Sequence, residues 1–196
     1  EIGYRLVGSE MCIRDSIGFG IASSGSVISG AKCSNAGQQD KVILVPTGGT
    51  TNGIKLAIHT WETLEAACNG VQEFLGGAAI DSCCVLPLYH VSGLMQLLRS
   101  YHSGGYIRFD EDEVEGRCLS YVPTQLRRAL LDKKRTQALS TARVIFVGGA
   151  SMAESLAEEV RKLKLPVMPV YGMTETAAMV AAIPVADFLA DSRAGA

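Results

Sequence analysis

A glycine, two hydroxyls and a carboxylate stand side by side in Tyr171-Gly-Met-Thr-Glu-Thr176, directly after the apolar run 166–170. That run reads as a buried strand, and ligands of open α/β sheets bind just beyond the carboxyl ends of strands. In such a place Thr174 and Thr176 can donate to phosphate oxygens, and Glu175 offers the hard oxygen ligand that Mg²⁺ takes. Three other segments carry related chemistry. Pro46-Thr-Gly-Gly-Thr-Thr-Asn-Gly-Ile-Lys55 combines glycines that let backbone N–H groups turn towards an anion with the hydroxyls of Thr47, Thr50 and Thr51 and the charge of Lys55. The set suits a nucleoside triphosphate. It is not a Walker A loop, which needs G-x-x-x-x-G-K-[ST], because Ile54 separates Gly53 from Lys55 and Leu56 follows. Leu86-Pro-Leu-Tyr-His-Val-Ser-Gly-Leu94 puts His90 after a strand and before a glycine, at a natural pocket mouth that could open on an acyl-substrate tunnel. Val147-Gly-Gly-Ala-Ser151 places small residues at another strand end, where a flat ring can lie against the backbone. Taken singly, each segment also has a plainer reading. These are a hairpin turn after Val45, a satisfied core histidine at position 90, and a tight strand-to-helix turn capped by Ser151.

The elements that must position these residues follow from the apolar pattern. Strands are predicted over 41–46, 54–59, 82–86, 106–109, 143–147 and 166–170, and helices over 61–75, 94–101, 123–131 and 151–164. Thr60 is placed to cap the first helix, with Glu62 in the turn where the helix dipole favours an acid. Trp61, Leu64, Cys68, Val71 and Leu75 recur at helical spacing and give it one apolar face, and Gly76-Gly77 ends it. Pro123 stands at an early helical position, where its missing N–H costs little. The acidic run Asp110–Glu115 reads as a solvated loop. Strands alternating with helices imply a largely parallel sheet with helices on its faces.

Composition sets bounds. The chain has 196 residues, enough for one domain with a sizeable core, and its 47% hydrophobic content is that of a folded chain. A net charge of −2 gives no footprint for nucleic acid or an anionic membrane. The apolar runs stop well short of the ~20 residues of a spanning helix. The six cysteines form no C-x-x-C pair and no zinc-type spacing, so they read as reduced, buried thiols of a cytoplasmic protein. Residues 1–16 resemble the LVGSEMCIRDS-type peptide found at the ends of some translated sequencing assemblies and are read as an artefact. Residues 17–40 are a poorly defined lead-in, and 41–196 form the domain proper.

Read together, PTGGTTNGIK, LPLYHVSGL, FVGGAS and YGMTET occur in the order and rough spacing of the adenylate-forming (AMP-binding) superfamily, which includes acyl-CoA synthetases and luciferases. The resemblance covers about 41–182. AIHTWETL, PLYHVSGLMQLLRSYHSGG and YVPTQLRRAL resemble one branch of it, the 2-succinylbenzoate–CoA ligases of menaquinone and phylloquinone synthesis. The resemblance implies an α/β fold, the parallel-sheet core of the large N-terminal domain of such an enzyme, in incomplete form. It implies ATP, Mg²⁺ and CoA as co-substrates or cofactors, and a small carboxylic acid as substrate. It assigns Thr47, Gly48, Gly49, Thr50, Thr51 and Lys55 to the β- and γ-phosphates of ATP. Gly148, Gly149 and Ala150 would flank the adenine, Tyr171 would stack on it or nearby, and Gly172 would belong to the same cofactor-binding set. Thr174 would contact the α-phosphate, Glu175 would ligate Mg²⁺, and His90 would sit beside an aromatic acyl group.

The departures from the pattern are specific. The superfamily loop usually reads T-T-G-x-P-K, whereas Asn52 and Ile54 stand here for Gly and Pro; Asn tolerates positive φ, so the turn can survive. The ribose-binding Asp, the hinge and the catalytic Lys of the small C-terminal domain would all lie beyond position 196. The chain is therefore expected to cover less than half of such an enzyme, to be sticky through uncovered core faces, and not to catalyse the full reaction alone. A ligase for another aryl or fatty acid, or a non-catalytic nucleotide-binding remnant, fits the same residues. Arg99 and Arg127 are candidate partners for a second substrate carboxylate, with a solvated face the simpler reading of each.

Overall fold

The computed structural model describes residues 5–6, 42–47 and 55–191. A seven-stranded sheet organises them in the order β1-β9-β8-β7-β6-β4-β5. The strands are β1 (Arg5–Leu6), β4 (Ser82–Cys83), β5 (Ile107–Arg108), β6 (Cys118–Tyr121), β7 (Val144–Val147), β8 (Val167–Met173) and β9 (Ala178–Ala182). From β5 to β8 the pairings are parallel; β9 and β1 run antiparallel at the other edge. A separate antiparallel hairpin pairs β2 (Val42–Pro46) with β3 (Leu56–Thr60).

Every residue of β6 and β7 is buried, as a sheet covered on both faces requires. Side chains alternate between the two cores. Leu119, Tyr121, Ile145, Val147 and Val167 pack on one face with Leu126, Leu139, Leu156, Val160 and Phe188. Those partners come from α3 (Pro123–Ala129), α4 (Lys133–Leu139), α5 (Glu154–Lys162) and α6 (Val185–Ala190). Cys118, Val144, Phe146 and Met168 face the other way, towards Val71 of α1 (Trp61–Phe74). Leu64 and Cys68 of α1 join Val45 of the hairpin and Met95 of α2 (Val91–His102) in a third cluster.

Helix α1 begins as the sequence predicts. Thr60 Oγ1 accepts from the Thr63 N–H at 3.3 Å, while Thr63 Oγ1 accepts from the Thr60 N–H at 3.1 Å. Removing the cap in Thr60→Ala is expected to lower stability by about 1 kcal/mol, read as an earlier urea midpoint at unchanged slope. Gly76 and Gly77 end the helix with φ of 89° and 80°. Trp61 departs from the predicted apolar face: it sits at the helix start and is 44% exposed.

Several elements differ from the sequence expectation. The strand over 82–86 shrinks to Ser82–Cys83, and the helix over 94–101 begins earlier, at Val91. Ser151 does not cap α5; the helix starts at Glu154, after Ala153. Strand β8 does not stop at Val170 but runs on to Met173, because β9 returns alongside it. Strand β6, strand β9 and helices α4 and α6 fall in segments given no element from the sequence. The acidic run is more than solvated loop. Tyr121 Oη donates to Glu111 Oε1 at 2.7 Å, Arg135 pairs with Glu111, and Arg108 pairs with Asp110 and Glu113 at 3.1 Å. Those contacts fasten the run across β6 and α4.

Cys68, Cys83, Cys84 and Cys118 are free and buried, as predicted, and burial pushes the thiols of Cys68 and Cys118 up to about 11. They are neutral at physiological pH and inert. Cys12 and Cys33 lie outside the described residues.

Candidate active site

Strands β4, β6, β7 and β8 all deliver their carboxyl ends to one edge of the sheet, where the parallel order places a ligand crevice. A cleft opens there, walled by Tyr121 at the end of β6 and Val122 after it, Gly148 and Gly149 after β7, Gly172 and Met173 of β8, and Val91 and Arg99 of α2.

Gly148 is set by close approach and Gly149 by its backbone conformation. A Cβ on Gly148 would lie 2.7 Å from Val170 Cγ2 and 2.9 Å from Val170 O. Gly149 has φ of 77°, the left-handed region that disfavours other residues. Small residues thus leave a flat backbone wall. Ala150 is exposed beside it.

The segment Tyr171–Thr176 divides in two. Tyr171-Gly172-Met173 is the last part of β8, with a bulge in its pairing to β9 between Tyr171 and Gly172. A Cβ on Gly172 would stand 1.6 Å from Ala178 O, so only glycine fits that bulge. Tyr171 is 56% exposed at the rim and does not line the cleft. Thr174-Glu175-Thr176 forms a single 3₁₀ turn. Thr176 is a correction to the sequence reading, because its hydroxyl is used inside the turn. Thr176 Oγ1 accepts from the Met173 N–H at 3.1 Å and reaches Ala178 O at 2.9 Å. It is not available to phosphate. The Thr174 hydroxyl and the half-buried Glu175 carboxylate have no hydrogen-bond or ion-pair partner among the described residues. They sit together at the strand end, next in sequence to the Met173 that lines the cleft.

No cluster of three metal-ligating side chains occurs among the described residues. A single free carboxylate still fits Mg²⁺, which keeps waters and takes one or two carboxylates alongside substrate phosphates.

His90 is exposed, next in sequence to the Val91 that lines the cleft, and its ring lies tilted at 49° to that of Tyr89 with centroids 4.6 Å apart. It occupies the N-cap of α2, not the end of a strand, and its side chain makes no cap hydrogen bond. Its backbone carbonyl accepts from the Gly93 and Leu94 N–H groups at 3.0 Å. Thr47 and Lys55 close the β2–β3 ladder, with the Thr47 N–H donating to Lys55 O at 2.9 Å. Gly48, Gly49, Thr50 and Thr51 lie outside the described residues.

Arg99 is the largest correction. It is 4% exposed, not solvated. Its Nε and Nη2 are buried with no hydrogen-bond partner among the described residues, and the side chain lines the cleft. Burial pushes its pKa down, opposed by the nearby Cys68 and Cys118. Its period on α2 was the available signal: Met95, Gln96, Arg99 and Ser100 form one buried stripe. Arg127 by contrast is exposed, donating to Ser155 Oγ at 3.0 Å.

The AMP-binding enzyme family matches residues 20–195 of this chain. Among curated relatives, the 2-succinylbenzoate–CoA ligase of Enterococcus faecalis is 32% identical over 153 residues, covering 72% of this chain and 32% of that enzyme. The ligase of Bacillus licheniformis is 33% identical over 162 residues, covering 74% of this chain and 32% of its own length. The O-succinylbenzoate Coenzyme A Synthetase (MenE) from Bacillus subtilis, solved in complex with ATP and magnesium ion, superposes with a TM-score of 0.66 at 28% identity. It covers 76% of this chain and 34% of that one. MenE from Escherichia coli with a bound m-phenylether-linked analogue of OSB-AMS gives a TM-score of 0.62 at 29% identity. The chain thus spans about a third of the length of the relatives it matches. Its mostly parallel sheet is that of the N-terminal domain of these adenylate-forming enzymes, and no helix among the described residues is long and apolar enough to cross a membrane. Sequence match and sheet agree that the chain belongs to the AMP-binding enzyme family.

Proposed function

We propose that this chain is the nucleotide- and acid-binding part of a cytoplasmic acid–thiol ligase that activates 2-succinylbenzoate with ATP and transfers it to CoA, a step of menaquinone or phylloquinone synthesis. The observation that carries the choice of acid is Arg99. A buried guanidinium without a partner is costly, and a substrate with a second carboxylate supplies the partner while the first carboxylate reacts. A fatty acid would leave Arg99 unpaired, which weighs against that alternative.

In the reaction, one substrate carboxylate oxygen attacks the α-phosphorus. The bond from that phosphorus to the bridging oxygen breaks, and pyrophosphate leaves. The CoA thiolate then attacks the acyl carbon, forming the thioester and releasing AMP. Neither step asks for strong acid–base help; both ask for positioning and charge neutralisation. Gly148 and Gly149 give the adenine a flat wall, with Ala150, Tyr171 and Gly172 at its edge. Thr174 Oγ1 donates to the α-phosphate. Thr47, Gly48, Gly49, Thr50, Thr51 and Lys55 hold the β- and γ-phosphates, and His90 borders the acyl group. Glu175 would hold Mg²⁺, whose charge, when bound, offsets that of the phosphates.

The test is acid-dependent ATP–pyrophosphate exchange by the full-length protein that carries this chain. Exchange with 2-succinylbenzoate and little with benzoate is the expected result; equal exchange with both, or none with any acid, contradicts the proposal. Glu175→Gln is expected to lower exchange by about 10²-fold. Its melting temperature should not change, since the Glu175 carboxylate has no hydrogen-bond or ion-pair partner among the described residues.

A further inference from the structure

We propose that His59 is a positioning residue that sets the 3₁₀ turn Thr174–Thr176 for the adenylation proposed above, and the inference rests on that reading. His59 is 3% exposed on β3, yet its ring reaches a residue 115 positions away, with Nε2 lying 2.8 Å from Thr174 O. A carbonyl only accepts, so Nε2 carries the proton and donates. Among the described residues this is the side-chain hydrogen bond that joins the β2–β3 hairpin to the turn.

The turn needs an external hold. Ala177 and Ala178, which follow it, both have positive φ, at 51° and 74°. Two successive non-glycine residues in that region are strained, and such strain persists only where the surroundings over-determine it. Thr176 Oγ1 fixes the far end of the turn through Met173 and Ala178. His59 fixes the near end, at the residue whose free hydroxyl faces the proposed α-phosphate. The Thr174 and Glu175 side chains have no partners of their own among the described residues, so their aim is set by the backbone that His59 holds. Strand alternation also puts Ala57 on the same face of β3 as His59, and Lys55 directly precedes the strand. The hydrogen bond therefore sets the distance between the Lys55 end of the hairpin and the Glu175 corner. A small loss of that setting is costly where reacting atoms must be aligned.

The experiment compares wild type, His59→Gln and His59→Leu in the full-length protein by ATP–pyrophosphate exchange. His59→Leu removes the donor and is expected to lower the maximal rate by about 10²-fold, with KM for the acid within about twofold. His59→Gln keeps an N–H donor and is expected to recover most of the rate. A leucine variant of normal rate, or a glutamine variant as slow as leucine, overturns the inference. So does a loss that tracks only the fraction of correctly folded protein, measured by active-site titration. Should the leucine variant not fold, ¹⁵N-histidine NMR of the wild type decides: a protonated, slowly exchanging Nε2 supports the hydrogen bond, and an unprotonated Nε2 overturns it. A wild type with no exchange on any acid instead overturns the proposed function itself.

Discussion

Replacing Arg99 by leucine is expected to move stability and activity in opposite directions. The guanidinium is 4% exposed, its Nε and Nη2 have no partner among the described residues, and the nearby Cys68 and Cys118 thiols are held near 11 by burial. Neither thiol is a thiolate at neutral pH, so neither serves as a counter-ion. Leucine removes an uncompensated buried charge and keeps apolar volume, which should stabilise the free protein by about 1 to 4 kcal/mol. The same change strips the substrate's second carboxylate of its partner. Breaking a desolvated charge pair in a complex costs about 2 to 5 kcal/mol, so kcat/KM for the dicarboxylic acid should fall by about 10²-fold or more. A residue whose only role is packing would lose stability and activity together. Thermal melts and steady-state kinetics on the same preparation separate the two outcomes.

Gly172→Ala is expected to be the most damaging single-methyl change. The new Cβ would lie 1.6 Å from Ala178 O and 2.4 Å from Ala178 C, both backbone atoms. No rotamer relieves such a clash, so the β8–β9 pairing must open at its bulge. The expected cost is about 3 kcal/mol or more, with ATP–pyrophosphate exchange abolished because the Thr174–Thr176 turn follows directly. Gly116→Ala is the control. Gly116 has φ of 66° but nothing near its hypothetical Cβ, so it should cost only about 1 to 2 kcal/mol through its backbone and leave exchange intact. Urea unfolding of both variants reads the contrast.

Much of the fold was legible because its pattern is strong. The apolar runs at β2, β7 and β8 and the helical period of α1 carry their own signal, and Thr60 and Gly76 mark where α1 begins and ends. The missed elements lack that signal. Strand β6 is four residues with a serine among them, buried by its neighbours on both faces. Helix α4, KKRTQAL, buries only Leu139, so it has no apolar stripe to find. Its N-cap was visible in principle: Asp132 accepts from the Lys134 N–H at 2.8 Å. Strand β9 is largely alanine, a poor strand former that β8 recruits.

The site divides the same way. Gly148, Gly149 and Gly172 could be chosen from sequence because glycine at a strand end usually answers a backbone demand, and the structure supplies that demand at each. Arg99 left only its helical period as a signal, since a cation in a helix reads as exposed until tertiary packing turns that face inward. His59 was hidden for the same reason. Its partner is a backbone carbonyl far along the chain, and long-range carbonyl contacts leave no trace in local spacing.

The most direct measurement is a crystal structure of the full-length protein with a non-hydrolysable acyl-sulfamoyl adenosine built on 2-succinylbenzoate. The adenine is expected against Gly148 and Gly149, the sulfamate against Thr174, and the free succinylbenzoate carboxylate within hydrogen-bond distance of Arg99. A ligand bound at this cleft with Arg99 still unpaired, or bound anywhere else, would contradict that expectation.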